Sequence, residues 1–154
     1  MKYMDFNKKN LNRFLFFKLP AAWWTGVRVT NITKTTCEVG VTHKWKNQNP
    51  FNSMYFAVQA MAAELSTGAL VMSEIKNSNQ KISMLVAQNK AIFTKKAKGR
   101  ILFTCLEGAK IERAIKQTIE TGEGQTFWLQ SKGVDSNGIV VSDFSFEWTI
   151  RIKK

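Results

Sequence analysis

Cysteine, histidine and proline are scarce in this chain of 154 residues, which contains 2 Cys, 1 His and 2 Pro. Two cysteines are too few for a disulfide framework. Cys37 and Cys105 are 68 positions apart, so they provide no zinc-binding spacing with His43. Nothing in the sequence places a serine beside His43, and we interpret it as a rim or core residue, not a catalyst. The composition therefore excludes disulfide-stapled, zinc-dependent and triad-type chemistry.

Glycine-rich nucleotide motifs are also missing. The 9 glycines form no P-loop, no G-x-G-x-x-G and no G-x-S-x-G, and the pair Gly122 and Gly124 lacks a third glycine at the required spacing. These absences exclude the common phosphate-cradling loops and the nucleophile elbow.

Long apolar runs are limited to one segment. The run 14–17 is too short for a signal peptide. The stretch 54–72 is nearly long enough to span a bilayer, but Gln59 and Glu64 interrupt it, and a carboxylate near the centre of a spanning helix is costly. We therefore predict a buried helix, no membrane span and a cytoplasmic location.

Acidic residues are rare in the first two thirds of the chain. The whole sequence has 23 Lys and Arg against 11 Asp and Glu, a formal charge of +12. Residues 1–50 hold 9 basic and 2 acidic side chains, 51–100 hold 7 and 2, and 101–154 hold 7 and 7. Such a surplus favours an anionic partner, whether nucleic acid, phospholipid or a phosphorylated small molecule.

What the chain has in abundance is aromatic and β-branched residues, with 44% of residues hydrophobic. Its length suits one domain over 1–154 with a packed core. The patterning predicts an N-terminal helix at about 5–18, with Trp23 and Trp24 leading into the first strand. Strands follow at about 27–30, 37–42, 81–94, 101–106, 127–130 and 143–152, with helices at about 53–76 and 109–121.

Strands dominate after residue 80 without regular helical crossovers, so the sheet should be mainly antiparallel. The helix at 53–76 is apolar on nearly every face and must be enclosed. The predicted fold class is α+β, with a curved sheet wrapped over one long central helix and a core at about 20–152.

Glu64 stands in the middle of that apolar helix. Burying an unpaired polar group costs ~1–3 kcal/mol, and more for a charge, so something must compensate. Its helical neighbours, including Ala57 and Ala60, are small and leave space for a ligand or for another backbone. From the residues alone, a ligand site and a purely structural hydrogen-bonded acid are equally favoured.

The segment from Asn49 to Ser53 precedes the same helix. Its two asparagines and the free amides of a helix start offer donors suited to a carbonyl oxygen that becomes negatively charged. The alternative is that these are ordinary loop and cap residues, which fits Asn52 and Ser53 better than Asn49.

A strand pair, a polar loop with Asn49 and an apolar helix with Glu64 at its middle together resemble the hotdog fold. The chain is similar in particular to acyl-CoA thioesterases of the phenylacetate-pathway type and their uncharacterised bacterial relatives, over residues 20–152. In that family a loop Asn precedes the helix acid by about this separation. The basic turn 95–100 also resembles the family's.

The resemblance implies a homodimer or a dimer of dimers that hydrolyses an acyl-CoA, with coenzyme A as part of the substrate and no other cofactor or metal. Glu64 would be the nucleophile or base, usually acting from the other subunit. Asn49 would hold the thioester carbonyl with an amide near the helix start, and Ser83 would position water. The implied substrate-binding residues are Asn52, Tyr55, Phe56, Ala60, Lys95, Lys96, Lys98 and Arg100.

Two other functions stay open. The family's usual helix-start glycines are replaced by Asn52, Tyr55 and Phe56, which favours a non-catalytic acyl or acyl-CoA binding module. A nucleic-acid-binding domain comes third; four tryptophans offer stacking surfaces, but aromatics in strands are more often core and no nucleic-acid motif is present. The basic turn could likewise be an ordinary solvated connection. A dehydratase is less expected because His43 lies upstream of the loop where its partner should be.

Overall fold

A computed structural model describes residues 6–153 of the chain. The helices are α1 (Lys8–Lys18), α2 (Pro20–Trp24), α3 (Phe56–Asn77) and α4 (Gly108–Thr121), with a short 3-10 turn at Trp45–Asn47. The strands are β1 (Arg28–Ile32), β2 (Cys37–Thr42), β3 (Ile82–Phe93), β4 (Arg100–Cys105), β5 (Gln125–Asp135) and β6 (Val140–Ile152).

The six strands form one sheet in the order β1-β2-β4-β5-β6-β3, and every neighbouring pair is antiparallel. Helix α3 packs against β1, β2, β4, β5 and β6. The sheet therefore curves around α3, which confirms the predicted α+β architecture and the hotdog fold.

The core lies between α3 and the concave face of the sheet. Strand β6 alternates cleanly, because Phe144, Phe146, Trp148 and Ile150 are buried while the residues between them are partly exposed. The hydroxyls of Ser66 on α3 and Ser131 on β5 form a buried hydrogen bond (Oγ to Oγ, 2.7 Å) between the helix and the sheet. This packing fixes which face of α3 points away from the sheet.

Several boundaries differ from the sequence prediction, each for a local reason. The N-terminal helix begins at Lys8 because the Asn7 side chain caps it; the predicted start at residue 5 lies outside the described residues. Trp23 and Trp24 lie in α2, which Pro20 starts at its first position, and do not extend the first strand. Strand β5 is longer than predicted, since it pairs along most of β6.

The central helix begins three residues later than predicted. Met54 forms a bridge with Gln48, and the backbone N–H of Tyr55 donates to Asn47 O at 2.9 Å, so 53–55 are extended. Helix α3 is long and apolar enough to cross a membrane by length and composition alone, but 61% of its most apolar window is buried inside the protein. A buried core helix passes the same test.

Candidate functional site

Glu64 is a half-buried acid in the middle of α3. Within residues 6–153, no hydrogen bond or ion pair reaches its carboxylate. Burial raises the pKa of the Glu64 carboxyl above its ordinary value, because the charged form loses solvation without gaining a partner. A shielded carboxylate without a partner is available to take a proton or to attack a carbon.

The carboxylate lies beside a tryptophan ring over Gly68. A Cβ placed on Gly68 would be 3.2 Å from the Trp148 ring and 3.3 Å from Glu64 Oε1, so the ring and the carboxylate are no more than 6.5 Å apart. The Trp148 indole N–H donates to Thr67 Oγ1 at 3.0 Å. This contact joins α3 to β6, so the local sequence pattern does not reveal that Trp148 borders the acid.

A cleft of about 530 Å³ lies at the start of α3. Its wall contains apolar and aromatic side chains from the loop, the helix start and the end of β3. The lining residues predicted from sequence are Asn49, Tyr55, Phe56, Lys95 and Lys96. Glu64 is not among the residues that line it.

Backbone donors are free at this helix start. The Tyr55 N–H is used by Asn47 O, and the N–H groups of Val58 and Gln59 donate to Tyr55 O. Across the described part of the chain, no acceptor meets the N–H groups of Phe56 and Ala57. Two adjacent amides at a helix N-terminus can hold an oxygen that gains negative charge.

The Asn49 amide is engaged within its own loop. Its Nδ2 donates to Ser53 Oγ (3.0 Å) and to Met54 O (3.4 Å), and its Oδ1 accepts from the N–H groups of Phe51 and Ser53. Asn49 thus fixes the loop before α3. Its role as a carbonyl donor stays a prediction, and it would require one of these bonds to be exchanged.

Gln59 is a cleft residue that the sequence flagged only as an interruption of the apolar run. Its side chain is 4% exposed, and its Nε2 donates to Met54 O at 3.3 Å. Its Oε1 is buried and has no partner in the described structure. Only the closure of the loop onto the helix reveals this position, since the polar residue alone is uninformative.

The four basic residues of the turn 95–100 fall into two groups, one at the cleft and one outside it. Lys95 pairs with Asp135 (2.8 Å) and Lys96 donates to Phe51 O (3.5 Å), both at the cleft. Lys98 and Arg100 are exposed outside it, with the Arg100 guanidinium near Gly40 of β2. Only two of the four predicted phosphate contacts therefore line this cleft.

Three further predicted residues lie elsewhere. Ser83 lines a second cleft of about 610 Å³ near the end of α3 and donates to Arg151 O at 3.1 Å. Asn52 is exposed in a left-handed conformation with φ of 59°. Ala60 is half-buried on α3, one helical turn before Glu64. The structure does not bring Ser83 and Asn52 into one site with the acid.

Glu64 and the free helix-start amides are separated along α3. Eight residues of α-helix at 1.5 Å each put them about 12 Å apart along the axis. A single thioester carbonyl cannot contact both groups of the same chain. A second copy that supplies one of the two groups would bring them together at one carbonyl.

The two cysteines offer no competing nucleophile. Cys37 and Cys105 face each other across β2 and β4, and burial raises their pKa values to about 12 and about 11. Such thiols stay protonated and unreactive at neutral pH. His43 is half-buried with an unpartnered Nε2. In residues 6–153, no three His, Cys, Asp or Glu side chains come together as a metal site.

The model of the family "Domain of unknown function (DUF4442)" matches residues 7–150. The chain belongs to this family. No curated protein matches the chain significantly.

Solved structures share the fold at low identity. A Pseudomonas aeruginosa protein of unknown function, described as a probable thioesterase, is 22% identical, with a TM-score of 0.81 over 94% of this chain and 96% of that one. A Haemophilus influenzae thioesterase is 11% identical, with a TM-score of 0.73 over 97% and 93%. A Staphylococcus aureus thioesterase, solved with a Gln replaced by Ala, is 13% identical, with a TM-score of 0.62 over 81% and 93%.

Proposed function

We propose that the protein hydrolyses an acyl-CoA thioester, with Glu64 as the base or nucleophile. The observation that carries this proposal is the unpaired, shielded carboxylate at the middle of α3, in a fold shared with thioesterases. The chain's own residues supply an acid with a raised pKa and free amide donors, which are the two requirements of acyl transfer.

In the base route, Glu64 takes a proton from water, and the resulting hydroxide adds to the thioester carbonyl carbon. The carbonyl oxygen becomes an anion held by the N–H groups of Phe56 and Ala57. Collapse of this intermediate breaks the C–S bond, and the thiolate of coenzyme A takes up the proton. In the nucleophile route, the Glu64 carboxylate attacks the carbonyl carbon, the C–S bond breaks and coenzyme A leaves as the thiolate. Water then hydrolyses the mixed anhydride, which releases the carboxylic acid and regenerates Glu64.

A two-fold dimer through β3 would unite the separated groups. One side of β3 pairs with β6, and the other has no strand partner within the described range. This open edge has exposed apolar side chains, Leu85, Ile92 and Phe93. A long apolar edge is covered in stable proteins, here by a second β3.

The helix and strand contacts support one position for the axis of this proposed dimer. Phe56 contacts Phe93 (ring centroids 6.4 Å apart), while Gly68 lies against Trp148, which pairs with Val86. Glu64 falls between these levels, opposite the middle of β3. An axis near Lys90–Ala91 therefore brings the helix start of one protomer beside Glu64 of its partner.

The spacing of Asn49 and Glu64 along the chain supports the proposal that both act in thioester hydrolysis. Asn49 and Glu64 are 15 positions apart. In the Staphylococcus aureus thioesterase, the Gln and the Glu that were each changed to Ala are also 15 positions apart.

The basic residues near the cleft suit the phosphates of coenzyme A. Lys96 lines the cleft and its ammonium meets only a backbone carbonyl, so it is the cation most available to a phosphate. Lys95 shares its charge with Asp135, and Lys98 and Arg100 would contact a phosphate only outside the cleft. A cytoplasmic location is part of the proposal, because acyl-CoA is made and used there.

Release of free coenzyme A from short, long and aromatic acyl-CoAs tests the proposal. We expect turnover by the wild type and its loss in Glu64→Gln, with Glu74→Gln on the same helix as the matched control. Wild-type turnover by Glu64→Gln would remove Glu64 from the mechanism. No turnover of any acyl-CoA by the wild type would exclude the proposed hydrolase function.

A non-catalytic acyl-CoA binding module is the second candidate. The bulky side chains of Tyr55 and Phe56 occupy the rim of the cleft where thioesterases of this type usually have glycine. Tight binding of acyl-CoA by the wild type, without release of coenzyme A, would establish this second function.

A further inference from the structure

We propose that the protein docks on anionic phospholipid membranes through an aromatic and basic surface that is separate from the thioester site. This surface, called here the docking patch, consists of the corner between α1 and α2 and the turn after β2. Its apolar members are Phe16, Phe17, Leu19, Trp24 and Trp45, and its basic members are Lys18, Lys44 and Lys46.

The apolar side chains of the docking patch are unusually exposed. Trp45 is 83% exposed and Trp24 is 71% exposed, whereas Trp148 is buried. Every residue from Phe16 to Ala21 is exposed as well. Single exposed apolar residues need no explanation, but a contiguous group of this size marks an interaction surface.

Side-chain contacts join the two segments. The Phe16 ring lies 5.3 Å from the Trp23 ring in an edge-to-face contact, and the Lys46 ammonium lies 5.9 Å from the Trp24 ring. The Asn47 side chain donates to Thr25 O at 2.9 Å, which ties the turn to the end of α2. The patch is therefore held together by the fold and is not a loose loop.

The charge of this region selects an anionic partner. Between residues 6 and 46 the sequence has eight basic side chains and one acid, Glu38. Tryptophan, phenylalanine and leucine beside lysine are the combination that buries rings at the level of the headgroups while the ammonium groups stay with the phosphates. A purely acidic partner would contact only the lysines, and a purely apolar partner would contact only the aromatic rings.

A second copy of the chain is a poor occupant of the docking patch. A two-fold contact would place the same lysines against themselves with no acid to neutralise them. The patch also adjoins β1, at the opposite edge of the sheet from β3. The proposed dimer through β3 therefore leaves it open on both protomers, so each dimer presents two patches.

Vesicle co-sedimentation tests the proposal with the full-length protein. The probes are vesicles of phosphatidylcholine alone and of phosphatidylcholine mixed with phosphatidylglycerol, each at low and physiological salt. We expect binding to the mixed vesicles only, weakening with salt. Equal binding to both vesicle types, or none to either, would overturn the proposal.

Substitutions separate the patch from general surface charge. Lys44→Gln with Lys46→Gln should lower partitioning roughly twenty-five-fold, because each cation near an anionic surface contributes roughly fivefold. Trp24→Ser with Trp45→Ser should abolish sedimentation with the vesicles. The control is Leu106→Ser, which should not change sedimentation, because Leu106 is 70% exposed but lies just after β4, outside the docking patch. All these side chains are exposed, so the variants should fold.

Two outcomes would assign the patch to another partner. If Trp24→Ser with Trp45→Ser halves the molecular mass in solution, the patch is a contact between copies. If a single-stranded oligonucleotide binds and anionic vesicles do not displace it, the patch is a nucleic-acid surface. The proposal does not depend on thioester hydrolysis, since vesicle binding is measured without turnover.

Discussion

The carboxylate of Glu64 lies in a position that destabilises the folded protein but leaves the acid free to react with a ligand. It is shielded beside Trp148 and meets no donor or cation within the described residues. An acid kept only for structure would be paired, since an unpaired buried charge is among the more expensive features of a protein interior. The lack of a partner therefore favours the ligand interpretation that the sequence left open.

Replacing the acid should stabilise the protein. Because the folded state raises the pKa of Glu64 above its ordinary value of 4.5, ionisation above that pH opposes folding. Glu64→Gln removes that cost, and we expect a gain of roughly 1 kcal/mol at neutral pH, or 2–4 °C in Tm. The gain should be largest above the folded pKa and vanish as the pH falls below 4.5. Thermal unfolding of both proteins across pH measures it; equal curves at every pH would mean that Glu64 is not buried unpaired.

The free amide at the first position of α3 can be removed without breaking the helix. Proline is accommodated at that position, and Tyr55 before it already has φ of −61° and ψ of 135°, which a following proline permits. Phe56→Pro removes one N–H group that would donate to the thioester carbonyl, and it should lower kcat about a hundredfold. Phe56→Ala keeps the N–H and is the control. A matching loss in both variants would assign the effect to the lost ring.

At the scale of elements, the pattern of apolar residues along the chain was enough to predict the sheet, the central helix and α4. It failed where two signals of opposite sense overlapped, as at Trp23 and Trp24, which look like strand residues but follow Pro20 into a helix turn. The loop before α3 was predicted as a donor cluster, yet its Asn49 amide bonds within the loop. That outcome depends on how the loop closes, which no local pattern encodes. The buried amide of Gln59 depends on the same loop closure, and the ring beside Glu64 depends on a contact between α3 and β6, so local patterns predict neither.

The open edge of β3 makes a specific prediction for assembly. If two copies pair antiparallel about an axis near Lys90–Ala91, a cysteine at Lys90 or at Ala91 lies beside its own copy. Oxidation of Lys90→Cys or of Ala91→Cys should therefore yield a covalent dimer on a non-reducing gel. Lys81→Cys, before the start of the strand, should stay monomeric on the gel. No cross-link at either central position would exclude pairing through this part of β3.

At the scale of the whole molecule, the distance between Glu64 and the helix-start amides decides how many chains make one site. About 12 Å along α3 separates them within a chain, so each site of a dimer should take its acid from one protomer and its amides from the other. A dimer of Glu64→Gln with Phe56→Pro then has one site with both defects and one site with none.

Complementation tests this arrangement directly. Each variant alone should be nearly inactive, whereas a mixed dimer, isolated through two different affinity tags, should regain roughly half the wild-type rate of coenzyme A release per dimer. A random mixture of the two chains should regain roughly a quarter, because only half of its dimers are mixed. If acid and amides of the same chain acted together, every site in the mixed dimer would carry one defect and no rate would return. Recovery in the mixed dimer therefore requires that the catalytic acid reach across the β3 edge to its partner.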